Sequence, residues 1–199
     1  MIRAGVLLFL MLLGGCAAVP PAGTTLPPAE LDTWHFNGRI SLTRGEEGWH
    51  AGLTWQEHAG SYRLEIAGPL GQGAFQLTGD AEGVLLVDAQ ARSYTARDAD
   101  ALLAHVTGWV LPVSGLRYWV RGVPAPGREA RASRDAQGRL AQLQQDGWNI
   151  SYSRYQTVDG ASWPEKMRLE REDIVVRLRR KPVRTGLDRK STRLNSSHT

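Results

Sequence analysis

Phe36-Asn37-Gly38-Arg39-Ile40-Ser41-Leu42 and Trp49-His50-Ala51-Gly52-Leu53-Thr54-Trp55 decide the architecture of this 199-residue chain. In the first stretch Phe36, Gly38, Ile40 and Leu42 alternate with Asn37, Arg39 and Ser41. In the second, Trp49, Ala51, Leu53 and Trp55 alternate with His50, Gly52 and Thr54. A period of two sends alternate side chains to opposite faces of a pleated strand, so both read as half-buried antiparallel strands. Tyr62/Leu64/Ile66, Phe75/Leu77, Leu85/Val87 and Tyr94/Ala96 continue the inward-facing set. Glycine-containing turns at 57–60, 68–71 and 79–83 separate them, which predicts a six-strand meander.

Downstream the period changes. Asp98 can cap a helix in which Leu102, Leu103 and Val106 share one face and Gly108 ends it, and Pro112 precedes a second short helix with Leu116, Trp119 and Val120. A Pro-Gly loop at 122–127 follows, and strands return at 130–134, 140–145, 148–155, 166–171 and 174–179. Asp135-Ala136-Gln137-Gly138 and Asp146-Gly147 serve as turns. About eleven strands with two inserted helices make an α+β, β-dominated domain in which the helices cover one face or plug one mouth of a curved sheet.

The two ends of the chain read differently. Arg3, the apolar run 6–13 and Gly14-Gly15 before Cys16, the only cysteine, have the layout of a secretory signal peptide. The run is shorter than the ~20 residues that span a bilayer. Leu13-Gly14-Gly15-Cys16 resembles the bacterial lipobox, which implies a signal peptide over 1–15 and an acylated Cys16 bearing diacylglyceryl and N-acyl groups. Ala17, not aspartate, follows it, as in lipoproteins sorted to the outer membrane. Residues 16–28, rich in proline, read as an extended tether. At the other end, 188–198 match the in-frame translation of a widely used sequencing adapter, so 188–199 are expected to be an artefact without structure, and the natural protein to continue past Leu187.

What lies between, 29–187, suits a single domain with one core. The net charge of +4 falls to about +1 once the signal segment and tail are removed, which gives no reason to expect a nucleic-acid partner. His35, His50, His58 and His105 show no metal-ligand spacing and are expected on the surface. Ser114 lacks the Gly-x-Ser-x-Gly elbow of a hydrolase, and no phosphate loop or dinucleotide fingerprint is present. Neither an enzyme nor a bound metal or cofactor is expected. The run Arg177, Arg179, Arg180, Lys181 alternates with Val176 and Leu178 and reads as the solvated face of the last strand. Seven tryptophans serve either as core or, collectively, as the walls of a roomy apolar cavity.

Phe36-x-Gly38-Arg39-Ile40, Trp55-Gln56, Tyr62-x-Leu64, Gly68-Pro69-Leu70-Gly71, Tyr94-Thr95-Ala96, Leu111-Pro112-Val113, Leu116-x-x-Trp119-Val120-x-Gly122, Gly147-Trp148-x-x-x-Tyr152 and Pro164-x-x-Met167-x-Leu169 together resemble the LolB family of outer-membrane lipoprotein receptors. These blocks run in family order from about 34 to 179. The resemblance implies an open, unclosed antiparallel barrel of eleven strands with short helices over its mouth. It implies a lipid-anchored protein of the outer membrane, facing the periplasm, that takes acylated lipoprotein cargo from the periplasmic carrier LolA and inserts it among outer-membrane lipids. A monomer is expected.

Trp55, Ile66, Leu77, Leu102, Leu116, Trp119 and Trp148 are the candidates for an acyl-chain cavity, by strand alternation and by the apolar faces of the helices; plain core packing is the competing account of each. Pro69, Leu70 and Gly71 form the candidate membrane-insertion loop, in which Pro69 fixes φ and leaves Leu70 at a tip. In the family this leucine protrudes and helps deliver cargo. The segment before Phe36 is short, so a family N-terminal helix is expected to shrink to 29–34. An envelope sensor or scaffold lipoprotein on the same barrel, without cargo transfer, is the alternative function.

Overall fold

The computed structural model describes residues 28–71 and 73–182. Cys16, the signal segment, nearly all of the tether and the 188–199 tail lie outside them. In chain order the elements are β1 (Thr33–Arg44), β2 (Glu47–His58), β3 (Ser61–Ala67), β4 (Phe75–Gly79), β5 (Val84–Asp88), β6 (Ser93–Ala96), α1 (Ala99–Thr107) and α2 (Val113–Trp119). They continue with β7 (Ala130–Arg134), β8 (Leu140–Gln145), β9 (Trp148–Val158), β10 (Ala161–Arg171) and β11 (Ile174–Arg180).

All eleven strands form one antiparallel sheet in the order β6-β5-β4-β3-β2-β1-β11-β10-β9-β8-β7. Two meanders thus meet where the first strand pairs with the last. Ile40 lies opposite Ala51 on one side and Leu178 on the other. The sheet is unclosed, with β6 and β7 as its edges, and the helices are threaded between those edges in sequence. Every side chain of β7 is exposed, Arg131 and Arg134 among them, and charged edge residues resist pairing with a second chain.

The tight turns have a local cause. Asp146 and Gly147 both have positive φ (53° and 76°), as do Asp159 and Gly160 (49° and 78°). Two such residues make the hairpin turn whose twist matches that of the flanking strands. The inward positions of β1 alternate without a break: Trp34, Phe36, Gly38, Ile40 and Leu42 are buried. They merge with Leu53, Trp55, Leu64, Leu77, Ile150, Leu169, Val176 and the apolar faces of both helices into one core.

Four expectations are corrected. No helix covers 29–34: a single 3₁₀ turn at Pro28–Glu30 gives way to β1, because Thr33 already pairs with His58. In β5 it is Val84 and Leu86 that face inward, while Leu85 is exposed. β9 and β10 reach 158 and 161, longer than expected, with the register shift between Pro164 and Lys166 accommodating a proline inside the strand. Arg177 and Arg179 are exposed as expected, but Arg180 is buried, only 4% accessible. Its guanidinium lies between the rings of Phe36 (4.6 Å) and Trp163 (4.5 Å). His35, His50, His58 and His105 are all exposed.

Candidate functional site: a leucine-tipped loop beside an apolar cleft

β3 ends at Ala67, and Gly68-Pro69-Leu70-Gly71 turns the chain, closed by a hydrogen bond from the Gly71 N–H to the Gly68 carbonyl (3.1 Å). Leu70 adopts φ 57°, ψ 23°, the left-handed conformation that costs a non-glycine residue about 1–2 kcal/mol. Its side chain is 99% exposed, forgoing the roughly 1.5–3 kcal/mol that burying a leucine contributes. Two unfavourable terms on one residue point to a use outside the fold.

Beside this loop opens a cleft of about 730 Å³, within the roughly 300–1,000 Å³ typical of small-molecule sites. Trp49, Ile66, Pro69, Phe75, Val106 and Trp109 supply its apolar lining, and Asp88, Gln90 and Arg92 a polar edge. Trp49 and Trp109 meet edge to face at 6.0 Å. Arg44 stacks on Trp109 at 5.3 Å and reaches the Gly108 carbonyl. The indole N–H of Trp49 is buried without a hydrogen-bond partner.

The cleft's far wall comes from the helical cover. The Asp98 carboxylate accepts from the N–H groups of Asp100 and Ala101 at the start of α1, and Gly108 in the left-handed region ends it. That C-terminus puts Val106 and Trp109 at the cleft. α1 is tied to α2 through Asp100, which accepts from the Ser114 N–H (2.9 Å) and hydroxyl (2.5 Å). Burial pushes the Asp100 carboxyl above the usual carboxylate range, and the Ser114 hydrogen bonds oppose that rise.

Two residues at the C-terminal end of α2, Arg117 and Trp119, fasten it to the sheet. Arg117 pairs with Glu57 of β2 and donates to the Gly60 carbonyl (2.8 Å). Its guanidinium also lies 5.5 Å from the ring of Tyr62, whose hydroxyl burial pushes up to about 12. Two residues on, the Trp119 indole donates to Gln145 (2.8 Å), and Gln145 exchanges hydrogen bonds with the backbone of Ala125. Tyr152 donates to the Trp119 carbonyl. A Cβ on Gly115 would strike the Trp119 ring, which explains a glycine in a seven-residue helix despite its low propensity.

Of the seven cavity candidates, Ile66 lines the cleft. Trp55, Leu77, Leu116 and Trp119 are fully buried, Leu102 and Trp148 nearly so, and all six belong to the packed core. Trp55 contacts Trp34 and Tyr62 with ring centroids 5.7 and 5.6 Å away, and Arg171 stacks on Trp148 at 4.7 Å. Trp49, Phe75, Val106 and Trp109 are the cleft residues that sequence reasoning missed. Trp109 had one available sign, an aromatic directly after the helix-ending Gly108. Among the described residues no group of three His, Cys, Asp or Glu side chains could hold a metal.

Comparison with known proteins places this geometry. Residues 32–181 match the family described as "Outer membrane lipoprotein LolB". The chain is 41% identical over 150 residues to the outer-membrane lipoprotein LolB of Pseudomonas aeruginosa (strain LESB58), covering 75% of this chain and 73% of that protein. It is 36% identical over 181 residues to that of Stutzerimonas stutzeri (strain A1501), covering 84% and 88%. Its fold is similar to the crystal structure of a LolA superfamily protein from Nitrosomonas europaea, with a TM-score of 0.52 and 10% identity over 77% of this chain and 86% of that one. A family match across the whole described barrel and relatives of this identity settle membership: the chain belongs to the LolB family.

Proposed function

We propose that this protein, an outer-membrane lipoprotein of the lipoprotein localisation pathway, receives acylated lipoproteins from the carrier LolA and delivers them into the inner leaflet of the outer membrane. The observation that carries the reading is the fully exposed Leu70 on a left-handed turn whose neighbour Pro69 lines the apolar cleft. An acyl chain held in the cleft would leave past the one side chain best suited to enter lipid. Trp55, Trp119 and Trp148 are packed in the core, and among the described residues the cleft between Trp49, Phe75 and Trp109 offers an apolar space for such a chain. Each buried CH₂ is worth about 0.8 kcal/mol, so a small difference per group, summed along a chain, moves cargo between two proteins without an energy source. The same reading assigns Cys16 as the acylated anchor and has the barrel face the periplasm.

The test mixes LolA loaded with an acylated lipoprotein with this protein, with and without Leu70→Glu, in the presence of liposomes. Both forms are expected to strip cargo from the carrier, and only the unsubstituted protein to pass it to lipid. Failure of the folded protein to accept cargo would instead favour a sensor or scaffold on the same barrel.

A further inference from the structure

The described residues hold nineteen cationic and nineteen anionic side chains, yet the two halves differ. Residues 28–112 have five cations against eleven anions, and residues 113–182 have fourteen against eight. Five of those fourteen, with Arg39 of the first half, face one another across the outer side of four neighbouring strands. Arg179 of β11 stands opposite Arg39 of β1 and Lys166 of β10, Lys166 stands opposite Arg154 of β9, and Arg177 opposite Arg168. Arg39, Arg154, Arg177 and Arg179 are exposed and the other two partly so. Like charges in directly facing positions weaken a sheet. At about 4.8 Å between strands the row from Arg39 to Arg154 is roughly 14 Å across.

Two acids sit among these cations. Glu165 lies 3.5 Å from Arg154 and 3.9 Å from Arg179, and Glu170 pairs with Arg168 at 2.6 Å. That leaves a positive surplus on one wall of a domain that is neutral as a whole, at a cost to the sheet. The surplus calls for an anionic partner, and the wall's chemistry selects among such partners. Protein interfaces draw most of their affinity from desolvated aromatic or aliphatic anchors. The exposed large apolar residues among those described are Leu70 and Leu85, on neither of which this wall can draw. Lipid phosphates need no such anchor, and guanidinium groups meet them with paired, charge-assisted hydrogen bonds.

We propose that the outer wall formed by β1, β11, β10 and β9 docks on a bilayer surface bearing anionic phospholipids, with Arg39, Arg154, Lys166, Arg168, Arg177 and Arg179 facing the headgroups. This contact is separate from the insertion of Leu70 and holds whether or not cargo transfer does. Each cation near such a surface contributes roughly a fivefold gain in affinity, diminished by salt.

The experiment uses the full chain with Cys16→Ser, so that no acyl anchor contributes, and measures co-sedimentation with vesicles of phosphatidylcholine alone or mixed with phosphatidylglycerol. Binding is expected to rise with phosphatidylglycerol, to fall with salt, and to drop roughly twentyfold for Arg177→Ser/Arg179→Ser. The thermal midpoint of that double variant is expected to hold or rise, since facing like charges are removed. Leu70→Glu is expected to leave the phosphatidylglycerol-dependent part intact, which separates this wall from the delivery loop. Binding indifferent to phosphatidylglycerol, or unchanged in the folded double variant, overturns the proposal. So does a double variant that keeps vesicle binding but loses affinity for LolA, an outcome that would make the wall a protein interface.

Discussion

Arg117 on α2 and Glu57 on β2 form the ion pair that fastens the helical cover to the sheet. Glu57, only 5% exposed, accepts from the Arg117 Nε (2.9 Å) and Nη2 and from the Trp55 indole (3.3 Å). A carboxylate this deep depends on its partner, because removing one member of a buried pair strands the other's charge.

Arg117→Met is therefore expected to lower the unfolding free energy by about 3–5 kcal/mol, and Glu57→Gln/Arg117→Met by clearly less, since the double variant leaves no buried charge. Urea unfolding of the three proteins measures this. A single-variant loss under about 1 kcal/mol would mean that water already reaches Glu57. Amide exchange in α2 should quicken in Arg117→Met before it does in the sheet.

Asp100 makes the contact between the helices pH-dependent. Burial raises its carboxyl in the folded chain, so the folded state keeps this proton to a higher pH than the unfolded state does. Its contribution to stability is then greatest at low pH, declines as pH rises from the ordinary carboxylate range through the raised folded value, and is level above that. Asp100→Asn should flatten this part of the profile of thermal midpoint against pH. A parallel profile would show that Asp100 is not the group responsible.

Arg180 runs the other way. Burial lowers its guanidinium to about 10, and its Nε and Nη2 have no hydrogen-bond partner, while Nη1 donates to the His35 carbonyl (3.0 Å). Between about 10 and the ordinary guanidinium value the unfolded chain binds the extra proton, so stability is lowest below that window and rises through it. The two ring faces return about 0.5–2 kcal/mol each. Arg180→Met keeps the volume and drops the charge, and is expected to leave chemical unfolding within about 1 kcal/mol of the parent. A loss beyond about 3 kcal/mol would show that the cation itself holds β11 against β1.

Leu70 should separate stability from function. Leu70→Gly relieves the left-handed conformation and is expected to gain about 0.5–1 kcal/mol in thermal or urea unfolding while losing delivery to liposomes. Delivery at the parent's rate would remove the side chain from the proposed route.

Both meanders, the two helices with their Asp98 and Gly108 caps, and the tip position of Leu70 were legible in the sequence, because each rests on local rules of alternation, capping or turn chemistry. Val84-Leu85-Leu86-Val87 was not, since four consecutive apolar residues carry no alternation and only pairing with β4 and β6 sets their phase. The cleft was harder still. Trp49 and Trp109 are 60 positions apart in sequence, and nothing local brings the end of α1 to the start of β2. The alternation that places Leu178 inside also places Arg180 inside, but a cation at a core position is accepted only when rings such as Phe36 and Trp163 close on it, a tertiary fact.

The pairing of β1 with β11 has a consequence for how the molecule comes into being. Leu42 faces Val176 at the centre of the sheet, so the longest-range strand pairing in the fold is also its keystone. A chain interrupted before Ile174 would hold two half-sheets, each ending in a long strand with an unmatched row of N–H and C=O groups, the kind of edge that recruits another chain. Such sequence-distant pairing also makes for slow folding, on the order of milliseconds to seconds. Until the last strand arrives, the nascent protein depends on whatever keeps β1 from pairing with a stranger.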